Sequence, residues 1–266
     1  MNHQREVYPS APLVSVAFEL RHPQSETLSP RQRAIFKELL SNELPVMRSQ
    51  QVSSQTIEFG PSGAVPTVQT EESPKYFDRK TTVAASLLSS STIVETTQYP
   101  GWEDFSELLL KVCEARNEVS PIDGIERVGL RYIDEIRIPD TENPEWSEYL
   151  VPSLLGPHVE NAQDLPLNQW QGVAVFGPER GRSLVMRHAT GEGFAVNPNG
   201  ELRRKSPAYP GKFFLLDLDS FWVPESGVPV FSLDLLKETS EALHAPVREM
   251  FEQCITDRLR NEVLRK

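Results

Sequence analysis

Apolar and charged positions alternate along residues 127–138, RVGLRYIDEIRI. Successive side chains of a β-strand point to opposite faces, so a period of two places each class on its own side. The apolar side carries Val128, Leu130, Tyr132, Ile136 and Ile138, and the polar side carries Arg127, Arg131, Glu135 and Arg137. Residues 13–22 alternate in the same way. Both segments are therefore predicted to be half-buried strands with one polar face.

Three segments carry helix signals. Ser29, Pro30 and Gln32 form a capping-box pattern with proline at the first helical position, and this helix should end before Pro45. A second helix is predicted after YPGWEDF, where apolar residues recur at helical spacing. A long C-terminal helix is predicted from about Ser232 onward, with a kink near Pro246.

Further strands are predicted on both sides of a proline-broken, acidic stretch at residues 139–166. Residues 52–97 are rich in Thr, Ser, Val and Ile and predict three or four short antiparallel strands; NQWQGVAVFG, RSLVMRHA and KFFLLDLDSFW predict three more. The pattern favours an α+β fold made of two antiparallel-sheet units, each covered by helix. The predicted domains are residues 1–140 and residues 141–266, the second with the long terminal helix.

The composition narrows the classes of function. The chain has 266 residues and a formal net charge of -11, which disfavours binding to polyphosphate over the whole surface. It contains no apolar run long enough for a membrane span and no basic-then-apolar leader, so a cytoplasmic protein without a membrane partner is expected. The two cysteines exclude a disulfide framework or a cysteine-based zinc site, and no cofactor is expected.

Asp217 and Asp219 are the strongest candidates for catalysis. At strand rise they lie on one face about 7 Å apart, close enough to hold a divalent cation or to act as an acid/base pair. The alternative is structural: the carboxylates pair with a polar-face cluster formed by Glu19, Arg21, Arg127, Arg131 and Glu135. The second interpretation is favoured because carboxylates among aromatic residues are costly unless they are paired. No metal site is therefore predicted.

Two other groups of residues have both a functional and a structural interpretation. His244 lies one helical turn from Glu241 and could act as a base, although a hydrogen-bonded histidine on a helix face is the favoured interpretation. The segment 179–212 is basic within an acidic protein and offers a candidate anion or RNA contact. Its candidate side chains are Arg180, Arg182, Arg203, Arg204 and Lys205. A solvated loop is the alternative interpretation.

Five motifs, taken in order, carry a resemblance that spans residues 8–260. They are YPSAPLVSVAFELR, YPGWEDF, RVGLRYIDEI, FFLLDLD and LHAPVREMFEQCIT. In this order they resemble a sporadically distributed family of uncharacterised bacterial proteins. The resemblance implies a bacterial, patchily inherited protein from mobile or defence-associated loci. It carries no activity over to individual residues.

These observations favour a non-enzymatic protein-binding or regulatory protein, either an adaptor or an antitoxin-like or chaperone-like protein. No catalytic motif is assembled, and several loop aromatics are candidates for an interface. These aromatics are Trp102, Trp146, Tyr149, Trp170 and Trp222. The partner is expected to be a protein, encoded nearby, with a homodimer as a further alternative. The competing hypotheses are a metal-dependent hydrolase or nuclease using Asp217 and Asp219, and nucleic-acid binding through the basic segment.

Overall fold

The computed structural model describes residues 7–60, 63–156, 169–204 and 209–266, with the backbone alone for residues 53–60, 63–69 and 71. These residues build a single nine-stranded antiparallel sheet in the order β2-β3-β4-β5-β1-β6-β9-β8-β7. The strands are β1 Leu13–Arg21, β2 Val46–Gly60, β3 Gly63–Phe77, β4 Val83–Leu87, β5 Ser91–Thr96, β6 Arg127–Ile136, β7 Gln171–Glu179, β8 Arg182–Gly193 and β9 Gly211–Trp222.

The predicted α+β class is confirmed, but the prediction of two separate sheet units is wrong. β6 and β9 pair from Val128 opposite Trp222 to Ile136 opposite Phe214, which joins the strands on both sides of the crossover into one sheet. Each of these two strands is apolar on one face and carries charged residues on the other. Their pairing therefore extends the apolar core across both strands and places Arg131 opposite Asp219. It also removes two exposed strand edges.

Three helices cover one face of the sheet. They are α1 Pro30–Leu39, α2 Trp102–Val119 and α3 Leu233–Cys254. α3 packs on β6 and β9, α2 packs on β5 and α3, and α1 packs on α2. The core between helices and sheet includes Phe18, Leu130 and Leu216 from the strands and Phe36 and Leu243 from the helices. The helix α3 continues through Pro246.

The predicted capping box at the start of α1 is confirmed. The Ser29 hydroxyl accepts the Gln32 backbone N–H, and the Gln32 side chain accepts the Ser29 backbone N–H at 2.9 Å. We expect Ser29→Ala to lower the free energy of unfolding by about 1 kcal/mol, because one helix N–H then loses its acceptor. Urea denaturation measures this, with Ser41→Ala beyond the end of α1 as the control. Equal effects of the two substitutions would contradict the prediction.

The hairpin formed by β2 and β3 extends beyond the rest of the sheet. β3 pairs with β2 over its whole length but with β4 only at Lys75, Tyr76 and Phe77. The outer part of the hairpin is therefore a two-stranded ribbon at one end of the strand order. The other end of the strand order is β7.

Candidate functional site

The sheet face opposite α2 and α3 carries the charged residues that the sequence places on alternate strand positions. We call it the open face, defined by Glu19 and Arg21 on β1, Arg127 and Arg131 on β6, Asp217 and Asp219 on β9, Val185 and Arg187 on β8, and Val173 and Val175 on β7. The described residues include no helix on this face.

A bidentate ion pair between Arg131 and Asp217 lies at the centre of the open face. The Arg131 Nε donates to Asp217 Oδ1 at 2.8 Å, and Nη2 donates to Oδ2 at 2.7 Å. The Asp217 residue is only 2% exposed, whereas the Arg131 side chain is 48% exposed. Hydrogen bonds to the Asp217 carboxylate raise the pKa of Arg131 despite partial burial. A buried acid thus holds a guanidinium group in place whose outer surface faces solvent.

The ion pairs form one network across four strands, β1, β6, β9 and β8. Arg187 Nη1 lies 3.5 Å from Asp217 Oδ2 and 3.9 Å from Asp219 Oδ2. Arg127 contacts Asp219 at 3.4 Å and Glu19 at 2.5 Å. Including the Arg21–Glu19 pair, the network consists of Arg21, Glu19, Arg127, Asp219, Arg187, Asp217 and Arg131. Its four guanidinium groups and three carboxylates leave one positive charge on the surface of an acidic protein.

The network occupies the two carboxylates that were the candidates for metal chemistry. Asp217 and Asp219 share the guanidinium of Arg187, and Asp217 is also bound by Arg131. Within residues 7–60, 63–156, 169–204 and 209–266, no group of three or more His, Cys, Asp or Glu side chains is placed to hold a metal ion.

Glu135 belongs to a second cluster at one end of the open face. Its carboxylate accepts hydrogen bonds from Arg137 Nε at 2.8 Å, Arg204 Nη2 at 2.9 Å and the Ala195 backbone N–H at 2.7 Å. Burial alone would raise the pKa of Glu135, but these donors outweigh it and lower the pKa. The structure therefore brings together four of the five residues predicted for the polar-face cluster and places Glu135 in a separate group.

The connection between β8 and β9 is fastened across the sheet by this second cluster. Ala195 and Arg204 of this connection bind the Glu135 carboxylate on β6. Glu201, also in the connection, pairs with Lys75 on β3 at 2.8 Å. Lys75 also pairs with Glu95 at 2.6 Å. The connection covers the face near β3 to β5 and leaves the Arg131 region open.

The structure does not gather the basic segment into one patch. Arg180 and Arg182 lie at the β7–β8 turn, whereas Arg203 and Arg204 follow the opposite end of β8. Eleven residue steps along β8 separate those ends by roughly 36 Å. Arg204 is also buried against Glu135. Lys205 lies outside the described residues.

His244 lies on the helix side of the sheet, away from Asp217 and Asp219. Its Nδ1 is 2.9 Å from the Tyr132 hydroxyl, and its ring stacks on Trp102 with 4.2 Å between centroids and 7° between planes. Tyr132 faces α3 because it lies on the apolar side of β6. The environment of His244 is thus that of a packed, hydrogen-bonded histidine.

The aromatic residues predicted for an interface pack mainly against the core. Tyr149 is buried, and Trp102, Trp146 and Trp222 are half-buried beside the core residues. Trp146 and Trp170 line a cleft of about 510 Å³ together with Phe214. None of these four tryptophans lies on the open face.

The sequence interpretation did not recognise the exposed apolar residues of β7. Val173 and Val175 are 67% and 65% exposed and lie beside Arg187 and Val185 of β8. Phe176 on the other face of the strand is 44% exposed. The available signal was an uncharged run at residues 165–178. Only the strand order shows that residues 171–178 of this run lie in an edge strand.

Comparison with known proteins assigns neither a family nor a function to the chain. The chain matches no protein-family model and has no significant match among curated proteins. No helix in the described ranges is both long enough and apolar enough to cross a membrane.

Proposed function

We propose that this protein is a non-enzymatic protein-binding protein whose binding surface is the open face. The observation that carries the proposal is the half-exposed Arg131 guanidinium, fixed by the buried carboxylate of Asp217. A guanidinium that is already oriented loses little conformational entropy on binding, and arginine is enriched among residues that dominate interface energetics. On the same face, the exposed Val173 and Val175 supply apolar area beside Arg187.

The chemistry of the surface indicates a partner segment with acidic and apolar residues. The network has one net positive charge, and Arg131 and Arg187 keep 48% and 41% of their side chains exposed. A carboxylate of the partner can therefore bind them without displacing Asp217. An adaptor, antitoxin-like or chaperone-like role in a bacterial mobile or defence-associated locus rests on the family resemblance given above and is part of the proposal.

Arg187→Ala is expected to weaken capture of the partner at least tenfold, or about 1.4 kcal/mol. Arg187 is chosen because its contacts with Asp217 and Asp219, at 3.5 and 3.9 Å, are long, and Asp217 keeps its bidentate partner. The measurement is affinity capture from a lysate of the native bacterium, with the bound protein identified and titrated. Arg258→Ala is the matched control, since Arg258 is 42% exposed but pairs with Glu148 and Glu262.

Capture from nuclease-treated and untreated lysates separates protein from nucleic-acid partners. A stoichiometric protein recovered equally from both, and lost with Arg187→Ala alone, supports the proposal. Recovery that requires nucleic acid and falls steeply with salt supports binding through the basic residues instead. Equal losses with Arg187→Ala and Arg258→Ala would contradict a role for the open face.

A further inference from the structure

Within the part of the chain that the structure describes, β7 is an edge strand without the usual protection against pairing. Natural edge strands are commonly guarded by charged side chains, prolines, bulges or short length. Residues 165–178 contain no charged residue, and Val173 and Val175 are 67% and 65% exposed. The register shift and Pro178 interrupt only the far end of the strand, after Phe176. An unprotected segment is left at residues 171–176.

The backbone hydrogen bonds show which residues of β7 face outward. The Thr190 N–H donates to the Trp170 carbonyl at 2.9 Å, so Trp170 directs its backbone carbonyl toward β8. These directions alternate along an antiparallel strand. Ala174 therefore also faces β8, whereas Val173 and Val175 direct their N–H and C=O groups away from the sheet. The same two residues place their side chains on the open face.

We infer that a second copy of this chain pairs antiparallel along β7, in a register centred on Ala174. Val173 of one copy then lies opposite Val175 of the other, and the outward N–H and C=O groups of both residues form hydrogen-bonded pairs. The arrangement is self-complementary, as a twofold interface requires. It stacks valine on valine across the strands, which stabilises antiparallel pairs.

Charge permits a second copy at this edge, which it opposes elsewhere on the surface. Each chain has a formal net charge of -11, so two copies repel wherever their acidic surfaces meet. The uncharged residues 171–178 of β7 let the backbones approach without a like-charge contact at the interface. Strand pairing about an axis perpendicular to the sheet puts both open faces on the same side. The dimer then presents two arginine networks on one continuous sheet.

The mass of the isolated protein in solution tests this inference. Light scattering or sedimentation equilibrium from about 1 to 100 µM is expected to show a concentration-dependent dimer of twice the 30.0 kDa chain mass. Val175→Pro removes one outward N–H and no bond to β8, so it should give a folded monomer. Val175→Thr keeps that N–H and a similar shape, and it should remain dimeric. Circular dichroism and thermal unfolding check that both variants fold.

A charge-pair experiment tests the register. It also tests whether the dimer forms through β7 if Val175→Pro does not fold. Val175→Glu or Val173→Lys alone should convert the dimer to a monomer. The Val173→Lys, Val175→Glu double variant should regain the dimer at low salt, because each introduced ammonium lies opposite the introduced carboxylate of the other copy. A wild-type monomer at about 100 µM would overturn the inference. The inference would also be overturned if the Val175→Pro variant or the single charge variants were folded and still dimeric.

The experiment is independent of the proposed function because it uses the protein alone. A dimer broken by substitutions at Val173 and Val175 stands even if Arg187→Ala leaves partner capture unchanged. Conversely, a monomeric protein that captures a partner through Arg187 leaves the proposed function intact and removes only the second copy.

Discussion

Asp134→Asn is expected to stabilise the protein at neutral and alkaline pH by up to about 4 kcal/mol. Asp134 lies on the helix-facing side of β6 and is 5% exposed. Among the described residues, no side chain or backbone group forms an ion pair or hydrogen bond with its carboxylate. Burial raises the pKa of Asp134 from 3.8 to about 7. Asparagine keeps the shape of the side chain and cannot ionise.

The pH dependence has a definite sign. Below the unfolded-chain pKa of 3.8, Asp134 is protonated in both the folded and the unfolded protein, so its ionisation does not lower stability. Between about pH 4 and pH 7 the unfolded chain ionises while the folded chain holds its proton, so stability falls as pH rises. Above about pH 7 the cost is constant. The advantage of Asp134→Asn over the wild type should therefore grow by about 3 kcal/mol between about pH 5 and pH 8.

Glu135→Gln provides the matched control with the opposite sign. Glu135 is the next residue of β6, but it faces the other side of the sheet, and its hydrogen-bond donors outweigh burial and lower its pKa. A lowered carboxyl pKa contributes stability above the unfolded pKa that is lost as pH falls. In urea titrations between about pH 5 and pH 8, the loss of stability caused by Glu135→Gln should therefore stay nearly constant while the gain from Asp134→Asn grows. The loss caused by Glu135→Gln should shrink only as pH falls below the unfolded pKa of 4.5. A pH-independent difference between Asp134→Asn and wild type would show that the Asp134 carboxylate is solvated or paired.

Local periodicity predicted most of the strands and the polar face, since the alternation in β1 and β6 depends only on neighbouring residues. It also placed Asp217 and Asp219 on one strand face. It could not identify their partners, because Arg131 and Asp217 are 86 residues apart and meet through the β6–β9 register. That register is set by long-range packing, which no local pattern contains.

The same limit explains the wrong prediction of two sheets. The acidic crossover has the composition of a linker, and composition cannot show that β9 returns to pair with β6.

Asp134 illustrates a signal that the sequence did contain. It is the one acid on the apolar side of β6, between Tyr132 and Ile136. Its burial follows from strand alternation. That its carboxylate has no partner among the described residues depends instead on which residues of α3 pack against β6.

The β7 edge was missed for a topological reason. An uncharged apolar run fits a central strand as well as an edge strand. Among the described strands, the order β9-β8-β7 leaves one side of β7 unpaired and makes Val173 and Val175 surface residues. Exposure of these valines is thus a property of the sheet and not of the segment.

Asp217→Asn is expected to lower the free energy of unfolding by about 3 kcal/mol. Asp217 is 2% exposed and accepts both hydrogen bonds of the bidentate pair with Arg131. An amide can accept only one of them and places its own N–H₂ against a guanidinium. Breaking one partner of a buried pair leaves the other uncompensated, but the half-exposed Arg131 regains part of its hydration, which limits the loss. Urea denaturation at neutral pH measures the difference.

Asp219→Asn is the control on the same strand face, because Asp219 is 20% exposed on its side chain and its arginine contacts are 3.4 and 3.9 Å long. Its expected loss is below about 1 kcal/mol. A double-mutant cycle with Arg131→Met should give a favourable coupling energy for Arg131 and Asp217. If Asp217→Asn leaves stability unchanged, Asp217 is not held by the network. The carboxylate then becomes available for the metal or acid/base chemistry that its spacing from Asp219 also permits.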